Sequence, residues 1–206
     1  MGIGVLIEGH SGSGKSASLR NCTPGRFGII NVQGKPLPFR NSFKTYNTDN
    51  YFDIIPALQK SKTPSVVIDD SQGLMQHEYL ERATENGYSK FSEIGQHYYK
   101  LLQVISKMPE DKIVYLMTHI DIDDTGRERA KTVGKMVDQY VTIEGWFSIV
   151  LKSIATTDGY FFRTKTNGMD SVKTPIGMFT EEQIDNDLLI VDNTIRDYYN
   201  IGGKEQ

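Results

Sequence analysis

The sequence predicts an α/β fold, a mostly parallel central sheet flanked by helices, and three stretches carry that prediction. The apolar run Ile3-Gly4-Val5-Leu6-Ile7 leads into the glycine-rich octet Gly9-His10-Ser11-Gly12-Ser13-Gly14-Lys15-Ser16. A second apolar run, Ser65-Val66-Val67-Ile68, ends in the carboxylates Asp69-Asp70, and a third, Ile113-Val114-Tyr115-Leu116-Met117, ends in Thr118-His119. Short β-branched runs separated by helix-capable segments are the pattern of parallel strands joined by crossovers.

The first stretch reads as strand, phosphate-binding loop and first helical turn. Glycines at Gly9, Gly12 and Gly14 let the backbone take positive φ and approach a ligand, so that N–H groups along the loop, those of Ser11 and Ser13 among them, converge on phosphate oxygens. The helix expected from residue 16 to 21 adds its positive end. Lys15 reaches the β- and γ-phosphates as a mobile charge, and the Ser16 hydroxyl coordinates Mg²⁺. The pattern G-x-x-x-x-G-K-[ST] arises by chance in roughly one chain of this size in a hundred, and the strand before it makes a mere flexible loop rarer still.

Composition sets the outer bounds. With 206 residues the chain suits one domain with a single core, and 38% hydrophobic with 24% charged residues is a globular balance. No long apolar run is present, so the expectation is a cytoplasmic protein without a membrane span. The single cysteine, Cys22, excludes an intrachain disulfide and a multi-cysteine zinc site, and the four histidines are scattered. A net charge of −3 argues against a globally basic nucleic-acid binder but leaves room for a local basic loop.

Taken in order, residues 26–32 form the second strand after the turn Thr23-Pro24-Gly25, and the prolines Pro36 and Pro38 make a loop of residues 33–38. A short strand is expected at 43–47. Asp49 then caps a helix to about residue 58, which Pro56 shortens or kinks. The acidic strand 65–69 places Asp69 in the Mg²⁺ shell and Asp70 where it can orient a water. A helix covers residues 72–83 and ends at Asn86-Gly87. The spacing of Phe91, Ile94, Tyr98, Leu101, Leu102 and Ile105 marks a helix that buries one face. Thr118-His119 is polar at the end of a strand lying between the loop strand and the acidic strand. There it faces the γ-phosphate and can report hydrolysis to the segment beyond it, or it is an ordinary strand end.

Residues 121–140 show little apolar periodicity and read as a long loop carrying Arg127, Arg129, Lys131 and Lys135. These cations can contact the phosphates of a single strand or simply face water; Asp121, Asp123, Asp124 and Glu128 weigh against the first. Strands at 147–154 and 160–165 form a late β-hairpin about Thr157-Asp158-Gly159. A last helix is expected at 193–199.

Phosphate loop, central acidic strand, polar strand end and late hairpin together resemble the RecA-like branch of P-loop ATPases. The phrases Asp69-Asp70-Ser71-Gln72, Thr118-His119 and Gly134-Lys135-Met136 are similar to those of phage-encoded RecA-like single-strand annealing proteins of the Sak group, over about residues 3–200. The resemblance implies an ATP-binding homo-oligomer that engages single-stranded DNA during phage recombination, with a single-strand-binding protein as partner. It also implies ATP bound between subunits, with Arg163 and Lys165 of the late hairpin completing a neighbour's site. One departure stands out: strongly hydrolysing members carry a glutamate just after the second strand, where this chain has Gln33. An amide holds a water but cannot take its proton, so binding is expected to be surer than turnover. Alternatives on a similar scaffold are a nucleoside or nucleotide kinase, with Arg127 and Arg129 as a phosphate lid, and a replication accessory ATPase of the helicase-loader type.

Overall fold

The structure is a computed structural model, and it describes residues 2–87, 89–133 and 142–202. Eight strands form one sheet in the order β10-β9-β8-β1-β5-β4-β2-β3. The strands are β1 (Ile3–Glu8), β2 (Phe27–Asn31), β3 (Tyr46–Asn47), β4 (Ser65–Asp69), β5 (Ile113–Thr118), β8 (Ile149–Thr156), β9 (Gly159–Arg163) and β10 (Gln183–Asp185). From β8 to β3 every pairing is parallel, while β8, β9 and β10 pair antiparallel as the late hairpin and its extension. The expected fold class is therefore the one observed.

Alternation along the strands sends successive side chains to opposite faces, and each face is covered. Leu6, Ile68, Val114, Leu116 and Val150 pack under α1 (Tyr51–Lys60), α2 (Gln72–Glu81) and α3 (Ser89–Ser106) through Ile54, Leu58, Leu74, Met75, Tyr98 and Leu102. Val5, Ile7, Val67, Tyr115, Met117 and Leu151 face Leu19 and the last helix, here α4 (Leu188–Tyr199), through Leu188, Val191 and Ile195. Among the described residues no helix is long and apolar enough to cross a membrane.

Several local expectations need correction. The helix expected at residues 16–21 is present with those bounds, Ser16–Asn21, as a 3-10 helix. Asn50, not Asp49, caps α1, accepting a bond from the Phe52 N–H; Asp49 instead holds His77 at 2.8 Å. Pro56 lies within α1, which runs on to Lys60. The carbonyl that proline deprives of a donor belongs to Phe52, whose residue is 78% exposed, so water can serve it. The last helix begins at Leu188 rather than at 193, because Asp187 accepts from the Leu189 N–H at 2.9 Å.

The largest difference concerns the stretch expected to be a long loop. Its first part is a two-stranded ribbon, β6 (Ile120–Ile122) and β7 (Glu128–Ala130), outside the main sheet. Asp123 Oδ1 builds the turn by accepting from the N–H groups of Thr125 (2.9 Å) and Arg127 (3.0 Å), and Gly126 takes φ 81°. Lys135, with the rest of Gly134-Lys135-Met136, lies outside the described residues.

Candidate functional site

β1, β5 and β4 lie side by side, with Glu8 paired to Thr118 and Ile68 to Leu116, so their carboxyl ends come together. β5 stands between the loop strand and the acidic strand, the arrangement expected from the sequence. In open parallel sheets the ligand crevice lies outside such ends.

The glycines of the loop answer two demands, positive φ and close approach. Gly12 and Gly14 have φ of 77° and 97°, where a side chain would strain the backbone. Gly9 is needed for closeness: a Cβ there would sit 2.6 Å from the carbonyl oxygen of Ser153. The loop is tied to β8 by the Ser153 hydroxyl, which donates to the Ser13 carbonyl at 2.7 Å. Lys15 folds back on its own loop, donating to the carbonyls of Gly9 (2.7 Å) and His10 (2.9 Å). Burial pushes the Lys15 ammonium down to about 8, although Asp70 and Asp69 oppose the shift.

Across the crevice, the Ser16 hydroxyl donates to Asp69 Oδ2 at 2.8 Å. Burial, and then Asp70, push the Asp69 carboxyl up to about 6, and its Oδ1 is buried with no partner. A hydroxyl beside a buried carboxylate oxygen with spare lone pairs suits a hard cation. No group of three or more His, Cys, Asp or Glu side chains that could hold a metal occurs among the described residues. A Mg²⁺ held by Ser16 and Asp69 would complete its shell with phosphate oxygens and water, as this ion prefers.

Asp70 adopts a left-handed φ of 57°, unusual for a residue other than glycine. Its Oδ1 lies 3.1 Å from His119 Nε2, and this bond is the main cause holding the Asp70 carboxyl below the usual aspartate range. Lys35 stands 4.0 Å from its other oxygen. Together with Ser11 to Ala17, the residues Lys35, Pro38, Asp70, His119 and Tyr160 line a cavity of about 240 Å³.

Thr118 does not reach this cavity. It is fully buried, donating to Gln72 Oε1 at 3.3 Å, and that same oxygen accepts the His119 N–H at 3.1 Å. The polar strand end thus presents His119, while Thr118 helps to hold it. Tyr160 lies over the loop: a Cβ on Gly14 would meet its ring at 2.7 Å. Gln33 lies against Gly73 of α2, where a Cβ would be 2.5 Å from its amide nitrogen, and it does not line the cavity.

The remaining candidates sit elsewhere. Arg163 Nη1 is 3.4 Å from Asp170, and Lys165 donates to the Thr180 carbonyl at 2.8 Å, so neither enters the cavity of its own chain. Arg127 and Arg129 are exposed on the β6–β7 ribbon, Arg129 lying 3.3 Å from Asp123. Between them Glu128 turns inward to pair with Lys152 of β8 and lies 3.8 Å from His10 of the phosphate loop. The Lys131 N–H donates to the His119 carbonyl at 2.8 Å.

Glu8, where β1 enters the loop, carries no motif that would mark it in the sequence. It is fully buried; its Oε1 accepts from the Ser171 hydroxyl at 2.8 Å, while Oε2 has no partner. Burial lifts its carboxyl from 4.5 to about 7, opposed by the Ser171 bond and by Lys152 and reinforced by Glu144 and Asp170. The folded chain therefore holds a proton that the unfolded chain releases, and this group's contribution to stability falls as pH rises from about 4.5 to about 7. Glu8→Gln is expected to melt several degrees above the wild type at pH 8, with the gap closing toward pH 5. Parallel melting curves at the two pH values that keep a constant offset would contradict this.

No protein-family model and no curated protein matches the chain. Among solved structures, it is similar to the pilus retraction motor PilT with bound ADP, at 12% identity and a TM-score of 0.39. The match covers 96% of this chain and 52% of that one, so the chain spans about half of PilT's length.

Proposed function

We propose that this protein is a Mg²⁺-dependent, RecA-like ATP-binding protein that binds single-stranded DNA and promotes annealing in recombination, hydrolysing ATP slowly. The observation that carries the nucleotide reading is the facing of Lys15 and Ser16 by Asp69 and the Asp70–His119 pair, with one strand between the two arms. Lys15 binds the phosphate chain, Ser16 and Asp69 hold the cation, and Asp70 orients water with His119 beside it. A carboxylate kept below its usual pKa is a weak base, which agrees with slow turnover. Arg163 and Lys165 serve a neighbouring subunit of a homo-oligomer, and a single-strand-binding protein is the partner in the cell.

The exposed Arg127 and Arg129, with Lys131 behind them, support the DNA reading. A nucleotide kinase would bring arginines over the phosphates, but among the described residues the basic side chains lining the cavity are Lys15, Lys35 and His119. The test is ATP turnover and ATP-dependent binding measured with no additive, with a single-stranded oligonucleotide, and with nucleosides and nucleoside monophosphates. Stimulation or binding with the oligonucleotide supports the reading, and turnover only with small acceptors replaces it by a kinase. A helicase-loader role shares the ATP residues, and only its protein partner separates it from this reading. Changing Arg127 and Arg129 together to Ala is expected to weaken oligonucleotide binding and to flatten the slope of log affinity against log salt by at least about 0.7, the share of one phosphate contact on a single strand. An unchanged slope would move the contact away from this ribbon.

A further inference from the structure

Beside the phosphate loop the β6–β7 ribbon and residues 166–173 enclose a second cavity, of about 600 Å³. The two walls are joined: the Glu128 N–H donates to the Met169 carbonyl at 2.8 Å, and Met169 Cε lies 3.6 Å from where a Cβ on Gly126 would be. Gly145 and Gly168 lie along the cavity without side chains to fill it.

By residue count the lining looks neutral, with Arg127, Arg129 and Lys173 against Glu128, Glu144 and Asp170. Partnership breaks that balance. Glu128 is paired with Lys152, Glu144 accepts the Ala130 N–H at 2.6 Å, and Asp170 is held by Arg163 and by the Val172 N–H at 3.3 Å. Arg129 is engaged by Asp123. Arg127 and Lys173, one on each wall and both exposed, have no carboxylate partner among the described residues. The unpaired charges exposed at the cleft are therefore cationic, at two separated points, while Glu144 keeps its charge below the surface. Among the described residues no aromatic side chain lines it, and what those residues offer is charge rather than a stacking surface.

Resting on the single-strand reading above, we propose that this cleft seats the sugar-phosphate backbone of single-stranded nucleic acid, with Arg127 and Lys173 gripping phosphates from opposite walls. Lys173, more than forty residues beyond the ribbon, becomes a contact that the basic cluster of the sequence does not contain. The mode is independent of base sequence and strongly dependent on salt.

The experiment is a salt titration of a fluorescent oligothymidylate against the wild type, Lys173→Gln, Arg127→Gln and the double variant, with melting curves to show that each is folded. Each single change is expected to lower the salt slope by about 0.7 and the pair by about 1.4. If Lys173→Gln keeps the wild-type slope and affinity while Arg127→Gln lowers them, the second wall is not a contact and the proposal is overturned, with the DNA reading intact. If the wild type binds ATP but no oligonucleotide, the single-strand reading fails first. A poly-glutamate chain competing as well as the oligonucleotide at equal charge would assign the cleft to an acidic protein instead.

Discussion

Replacing Lys15 with alanine is expected to weaken ATP binding by about two to three orders of magnitude, the worth of a charged contact to phosphate in a partly enclosed site. The lysine is already at the loop, resting on the carbonyls of Gly9 and His10, so it needs only to swing to a phosphate. Its burial is costly, as the ammonium lowered to about 8 shows, and removing it relieves that cost while forfeiting two hydrogen bonds. The melting temperature should therefore move by only a few degrees. A pH series gives a second reading of the same residue. The charged form is the one that binds anions, so wild-type affinity should fall as pH rises through about 8, and Lys15→Ala should lack that step. Calorimetry that finds equal affinity in the two proteins would remove phosphate from this loop.

The largest loss of stability is expected from Asp192→Ala, roughly 3 to 5 kcal/mol by urea unfolding at neutral pH. Asp192 lies on α4 with no exposed surface. It accepts from Arg26 (2.6 and 3.1 Å), Arg196 (2.9 Å), the Ser65 hydroxyl (2.5 Å) and the Tyr115 hydroxyl (2.9 Å). One carboxylate thus binds α4 to the starts of β2 and β4 and to the middle of β5. Its removal strands the buried hydroxyls of Ser65 and Tyr115 and leaves the part-buried Arg26 and Arg196 without their carboxylate, which costs far more than the pairs gain when intact. A loss under about 1 kcal/mol would mean that water replaces the carboxylate, and the helix is held by its apolar face alone.

How much of this is legible in the sequence depends on whether the signal is local. The loop and the acidic strand are, because glycine, lysine, serine and aspartate at fixed spacing name their own conformations and chemistry. The ribbon is not: each of its strands is three residues long, with one buried side chain apiece, Ile120 and Ala130, which is too little for any periodicity to show. Asp123 and Gly126 are the available turn signals there. The sequence expectation for α4 falls five residues short because Leu188-Leu189-Ile190-Val191 has no helical spacing and Asp192 looks like a surface residue. Its burial becomes sensible only once Arg26, Ser65, Tyr115 and Arg196 arrive from distant parts of the chain. In the same way, Thr118-His119 announces a polar strand end without saying which of the two looks into the cavity.

His119 has a place in two structures at once. Its ring belongs to the wall of the cavity beside the glycine-rich loop, where it meets Asp70, and its carbonyl is the point to which the ribbon's exit is fastened, through Lys131. The two contacts are made by opposite ends of a single residue, so the cavity lined by the glycine-rich loop and the ribbon that carries Arg127 and Arg129 share His119 as their common border.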